Sequence, residues 1–572
     1  MASSSSLLSG ERTVVMLFIA GVIYSLPFSL LFPHGLSLSL LSLSSFFLEI
    51  LLFDNNSSSS SSLFQSRPGA SSGILLASIT LPALLLSKFT QFSRAFSSNQ
   101  VFLQEIEYLK LQYWATSTTS FCVLVFLSFV LKRRRSRSHA PFSRADWGFG
   151  FSLCFLLLQG VLCFVELSAT FQTGLQLALK LSWVFCHGFA AVKLMQHFLR
   201  TFPSCASIGE VLLVTAGIVL YFGDMLLLTV TKLCRLLMSS ELVTAEYEVS
   251  RSEIGIIIQG LLLGLLLFPI AYKYVLRIWE WSTNTASAES RRYNEIGRFL
   301  LFIASFVLVT TVIVPSWMQF VHEFHMHPFL WLLSFVFSEP SKRLSLCIYW
   351  VIVICVSVLR FYNISKNSKI ERILLRKYYH LMAVMMFLPA VIFQPMFLDL
   401  AFGAALAVFL TLEIIRVWRI WPLGQPIHQF MNAFTDHRDS DLLIVSHFSL
   451  LLGCALPIWM SSGYNDRPLA PFAGILSLGI GDTMASIVGH KYGVLRWSKT
   501  GKKTIEGTAA GITSVLASCL LLIPILASTG YIFTQHWLSL SLAVTATGLL
   551  EAYTAQLDNA FIPLFFYSLL CL

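Results

Sequence analysis

Apolar runs of about twenty residues recur from one end of the 572-residue chain to the other, and that is the length an α-helix needs to cross a bilayer. They fall near 13–32, 36–53, 73–88, 115–131, 147–168, 174–198, 208–230, 254–276, 298–318, 344–360, 379–397, 400–415, 441–460, 470–488, 507–528, 536–553 and 560–572. The second, third and last are short or Ser-rich, so about 14–17 spans are expected. In lipid every backbone polar group must be bonded within its own segment, which makes the spans helical. The fold class is all-α, a polytopic integral membrane protein. Composition excludes the alternative: 56% of residues are hydrophobic and 12% charged, with a mean hydropathy of +0.73, against roughly 25% charged in a soluble domain.

The net charge of +10 does not point to nucleic acid, because the cations sit in short clusters between apolar runs. These are Lys132–Arg137, Arg277 to Arg298, Lys366–Lys377, Arg416–Arg438 and Lys491–Lys503. With the spans above, all five fall on one side of the membrane, and 231–253, 319–343, 395–399 and 461–469 on the other. The basic side is expected to be cytosolic. The eleven cysteines, among them Cys122, Cys154, Cys163 and Cys355, lie mostly within apolar runs without metal-ligand spacing, so they read as small apolar residues. The Ser-rich start MASSSSLLSGERTVV resembles a transit peptide only slightly and reads as the approach to a retained first anchor. Residues 54–62 (DNNSSSSSS) form a low-complexity linker.

The stretch from Gly479 to Gly511, GIGDTMASIVGHKYGVLRWSKTGKKTIEGTAAG, carries the densest chemistry. Asp482 is an acid near the end of an apolar run, where an ionisable group marks a functional site by default. Ala485, Ser486 and Gly489 share its helical face, which is therefore small and polar enough for a ligand to approach. The following loop holds Lys491, Arg496, Lys499, Lys502 and Lys503, and Thr504, Glu506 and Gly507 lead into the next run. A nucleoside triphosphate needs cations for its oxygens, an acid for its metal, and exposed N–H groups at a helix start. The GKKT string is not a P-loop, because position 496 is Arg where that motif requires Gly. The plain reading of such features is close helix packing and a topology signal. The whole constellation favours a site.

GDTMASIVGHKYG followed by KKTIEGTAAG resembles the nucleotide-binding signature of dolichol kinases, which are related to phytol kinases and CDP-diacylglycerol synthases. The resemblance implies a CTP site built from Gly481, Asp482, Thr483, Ser486, Gly489, Lys491, Lys499, Lys502, Lys503, Thr504, Glu506 and Gly507. Glu551 to Asn559 is similar to the family's late acidic motif, on the same expected side as the basic loop. Arg376-Lys377-Tyr378-Tyr379-His380 resembles the Arg-Lys-x-x-His motif of polyprenol kinases. Glu413 with Arg416, then Asp436 to Asp441, resembles the segment before the nucleotide site.

The resemblance covers roughly 360–572 and makes this the catalytic membrane domain, while 1–350 forms a multi-helix region without a nameable motif. It implies CTP-dependent phosphorylation of dolichol at the endoplasmic reticulum membrane, supplying a lipid carrier for protein glycosylation. Asp482 and Asp558 would hold Mg²⁺, Lys502 and Lys503 would neutralise phosphate, and Asp558 or Glu551 would accept the hydroxyl proton. Arg376, Lys377, His380, Arg438 and Asp439 are candidate phosphate or lipid-head contacts. Expected partners are CTP, the polyisoprenoid alcohol and the bilayer, with no nucleic acid. The alternatives are a phosphatidate cytidylyltransferase, whose Pro-Gly-His-Gly-Gly-x-x-Asp-Arg motif this chain lacks, a phytol kinase, and a polytopic transporter. Asp224, in LYFGDMLLL, is also an acid in an apolar run; it reads as a helix-end or helix-pair residue or as part of a separate polar path, and stays outside the site.

Overall fold

The computed structural model describes residues 9–55, 71–97, 103–135, 144–169, 174–203, 205–237, 251–282, 290–367, 372–432, 446–497, 503–528 and 536–572. Among them the protein is helical, with no strand beyond one isolated bridge between Arg496 and Thr504. Among the described residues eleven helices are long and apolar enough to cross a membrane, and four shorter apolar helices of 10–17 residues accompany them: Pro328–Ser338, Lys377–Phe393, Phe448–Ser461 and Asp558–Cys571. The protein is an all-α, multi-pass membrane protein.

Local chemistry explains several boundaries. The Ser-rich run expected at 36–53 is helix Leu36–Asn55, because its hydroxyls are absorbed locally: Ser39 and Ser45 donate to the Gly35 and Leu41 carbonyls at 2.8 and 2.7 Å. The run expected at 13–32 breaks instead, its first helix ending at Tyr24 and a new one starting after Pro27. The stretch 319–343, expected as a connection, contains helix Pro328–Ser338. Proline suits its first turn, and the His327 side chain accepts from Phe329 N at 3.3 Å. The run expected at 470–488 is a 3₁₀ turn at Ala470–Phe472, a π-helical segment at Ile475–Asp482 and an α-helix at Thr483–Tyr492.

Contacts divide the chain into two compact units, and the division differs from the motif-based one at 350–360. One comprises 1–223, 361–388 and 453–572; the other comprises 224–360 and 389–452. Within the first unit, helix Ile74–Ser97 packs on Leu36–Asn55, Leu103–Arg135 and Asp558–Cys571, and Gly10–Tyr24 packs on Trp537–Tyr553. The N-terminal helices therefore form one body with the motif-bearing C-terminal helices. Arg94 tethers the chain end, donating to the carbonyls of Cys571 and Leu572 at 2.7 and 3.1 Å.

Within the second unit, helix Glu253–Ser282 packs on Pro395–Trp418 around Phe268, Tyr272, Phe302 and Ile415. The helices approach so closely at Gly403 that a Cβ there would lie 2.7 Å from Ile258. Asp224 is answered inside this unit, accepting from Arg251 at 2.6 Å and Gln259 at 2.7 Å.

Candidate functional site

The site is built on Asp482, the last residue of the π-helical segment. Such segments widen the helix and recur at functional sites. Helix Arg372–Phe393 crosses it at Gly479, where a Cβ would lie 2.2 Å from Val384 and 3.6 Å from the His380 carbonyl. Only glycine allows this approach, which carries Lys377 and His380 onto Asp482. The Lys377 ammonium donates to Asp482 Oδ2. His380 Nδ1 lies 3.2 Å from the same oxygen and 3.0 Å from the Leu478 carbonyl. All three side chains are buried, with 5–9% of their surface exposed.

A second acid belongs to the same electrostatic environment. Glu551, in the last turn of helix Trp537–Tyr553, feels the charges of Asp482, Lys503, Lys377 and Asp558. Lys503 donates its ammonium to the Glu551 carbonyl, placing a cation at a helix C-terminus where the dipole favours it. Three of the chain's separate polar patches, represented by Lys377 and His380, by Asp482 and Lys503, and by Glu551, thus meet in one place. Among the described residues no three His, Cys, Asp or Glu side chains form a metal cage. The Thr483 hydroxyl beside Asp482 is 2% exposed and makes no hydrogen bond among the described residues, so an acid and an unspent hydroxyl stand side by side. These hard oxygen donors fit Mg²⁺, which uses one or two carboxylates together with substrate phosphates.

Other candidate residues shape the loop. The Glu506 carboxylate accepts from Leu495 N at 3.0 and 3.2 Å, Ile505 N donates to Leu495 O at 2.8 Å, and Trp497 N to Lys503 O at 3.2 Å. Thr504 caps its helix, accepting from Gly507 N at 3.2 Å. The small face of 485–489 is used for packing. A Cβ on Gly489 would meet Thr504 Oγ1 at 2.8 Å, and one on Gly507 would meet Ala485 O at 2.5 Å. Ser486 and Gly481 remain at the edge of this contact, half-buried and buried. Lys491 is exposed, with its ammonium 5.0 Å over the Tyr492 ring. Asp558 opens the final helix. Arg438, Asp439, Lys499, Lys502 and the Arg376 side chain lie outside the described residues.

The sequence reading missed the network that holds the acidic turn between the last two helices. Buried Glu210 accepts from Leu557 N and Ser207 N, each at 2.9 Å. Buried Gln556 donates to Ser71 O at 2.9 Å and accepts from the Ser207 hydroxyl. Ser71 in turn donates to Glu11 Oε1 at 2.6 Å. The turn carrying Glu551 and Asp558 is therefore held by residues from the first 223 positions. Glu210 did offer a signal, as an acid in the first turn of an apolar run.

The dolichol kinase family model matches residues 189–455, which include Lys377, His380, Glu413 and Arg416 and stop before Asp482. Dolichol kinase EVAN of Arabidopsis thaliana is 61% identical over 570 residues, covering 100% of both chains. The Homo sapiens dolichol kinase is 29% identical over 525 residues, 89% of this chain and 87% of its own. Dolichol kinase sec59 of Schizosaccharomyces pombe is 34% identical over 257 residues, 42% and 50% of the two chains. No solved structure matches. A full-length likeness at this identity reaches across both the N-terminal helices and the acid–lysine–histidine cluster, and the chain belongs to the dolichol kinase family.

Proposed function

We propose that the protein transfers the γ-phosphoryl group of CTP to the hydroxyl of dolichol or a related polyprenol, giving the lipid phosphate and CDP. The observation that carries this reading is the convergence of Lys377, His380, Asp482, Lys503 and Glu551 at the ends of apolar helices. Phosphoryl transfer asks mainly for positioning and charge neutralisation, and this arrangement offers cations for phosphate beside acids for metal and proton. A divalent cation such as Mg²⁺, when bound, would supply neutralisation of the phosphate charge; Asp482 and Asp558 would hold it, with the Thr483 hydroxyl beside Asp482. Lys377 and Lys503 bind phosphate oxygens, with Lys499 and Lys502 completing the loop. His380, bonded to the Leu478 carbonyl, keeps Lys377 and Asp482 in register.

The basic loops face the cytosol of an endoplasmic reticulum membrane, which supplies water-borne CTP on one side of the site and the alcohol from the lipid on the other. The product then serves as a carrier for protein glycosylation. Purified protein in polyprenol-containing vesicles, given γ- or α-labelled CTP, provides the test. Label from the γ position on the alcohol supports the reading. Cytidylate appearing on phosphatidate, or transfer from ATP but not CTP, overturns it.

A further inference from the structure

Beside the acid cluster a groove with a cavity volume of about 20 Å³ lies between the π-helical segment and helices Ile505–Ser528 and Trp537–Tyr553. Gly481, Gly511, Val515, Val544, Phe566 and Glu551 are among the residues that line it. Its two ends differ in chemistry. Glu551 lies next to the loop that bears Lys503, and Gly481 adjoins Asp482. Val544 lies seven residues before Glu551, about 10 Å deeper along its helix, and Val515 lies about 15 Å from the start of its own. The groove thus runs from the charged boundary into the apolar interior.

We infer that this groove seats the hydroxyl-bearing end of the polyisoprenoid alcohol, with Glu551 as the group that accepts its proton. The inference rests on the proposed kinase reading and deepens it by naming the lipid-end subsite. Four features argue for this occupant. Its volume of about 20 Å³ has room for one water-sized group, which matches a hydroxyl and its carbon, so that the rest of a long chain would stay in the lipid. The deep walls are hydrocarbon, as an isoprene unit requires. Glycines draw the walls together: a Cβ on Gly548 would lie 2.5 Å from Ile512, and one on Gly511 3.1 Å from the Gly481 carbonyl. Finally, among the described residues Glu551 uses its carbonyl for Lys503, and no hydrogen bond occupies its carboxylate.

In the step, the alcohol oxygen forms a bond to the γ-phosphorus and the bond from that phosphorus to the β–γ bridging oxygen breaks. CDP leaves with that electron pair, and the hydroxyl proton passes to Glu551.

The test uses the full-length protein in vesicles and a polyprenol bearing a diazirine on its first isoprene unit, crosslinked and mapped by mass spectrometry. Label on peptides spanning 511–515 and 544–551, competed by dolichol and not by phosphatidate, is the expected result. In parallel, Thr547→Phe, which fills the groove wall, raises the KM for the alcohol about tenfold and leaves that for CTP unchanged. Glu551→Gln loses turnover and keeps the crosslink. Label elsewhere from an enzyme that still phosphorylates dolichol overturns the groove alone, as does competition by phosphatidate. A wild-type protein with no transfer to any polyprenol removes the kinase reading instead. If Thr547→Phe fails to accumulate, the wild-type crosslink map decides.

Discussion

Asp482 and Glu413 are both carboxylates buried on apolar helices with a cation against each, and they make opposite use of that setting. Glu413 has its cation close by in the sequence. Arg416, three residues on, grips both its oxygens at 2.6 and 2.7 Å, and the side chains are 7% and 1% exposed. Such a bidentate pair forms within one turn of helix. Asp482 has no local cation: its lysine lies 105 residues away, on another helix, and a second acid, a second lysine and a groove lie alongside. A pair made within one turn stabilises its own helix, whereas one assembled from distant elements creates a place where several charges meet.

This contrast predicts a graded series of effects on turnover. Asp482→Asn, which keeps shape and removes charge, is expected to lower transfer to the polyprenol about 10²–10³-fold at normal protein level. Retained activity would remove Asp482 from the site and erase the distinction. Lys377→Met should cost about 10²-fold, because it takes away the cation and leaves the acid uncompensated; steady-state assays of membranes with matched protein content read it. Glu210→Ala leaves the Leu557 and Ser207 N–H groups unpaired at a cost of about 1–3 kcal/mol each. It should lower kcat about tenfold with the KM for CTP unchanged, and Glu210→Gln should recover part of the loss. An altered KM for CTP with an intact kcat would instead tie Glu210 to nucleotide binding. Arg416→Met is the mildest on turnover: activity per folded molecule stays near wild type while thermal unfolding in detergent comes earlier. A turnover loss as large as that of Asp482→Asn would show that the Glu413–Arg416 pair also serves chemistry.

Much of this was readable from residue order. Helical spans followed from run length, and Asp482 stood out as an acid at the edge of an apolar run. The Lys377 and His380 pair came from a family-like motif. What escaped notice has physical causes. The π-helical turn at Ile475–Asp482 has no distinctive hydropathy, since it alters winding and leaves composition alone. The face of 485–489 looked open because its residues are small, yet small residues equally permit the contact with Thr504 and Gly507 that the fold makes. Glu506, one of the expected nucleotide-site residues, also bonds through its carboxylate to Leu495 N, a backbone partner that no side-chain motif advertises.

Residue order alone determined that this chain lives in a bilayer as helices, because hydrocarbon permits no other open backbone and each span carries that requirement within itself. Only the tertiary structure decided that the first 223 residues share a body with the motifs and hold the acidic turn through Glu210 and Gln556. Those bonds join groups 347 and 485 positions apart. Contacts at that separation depend on how helices cross, and the crossing is set by where a glycine such as Gly479 lets two backbones meet.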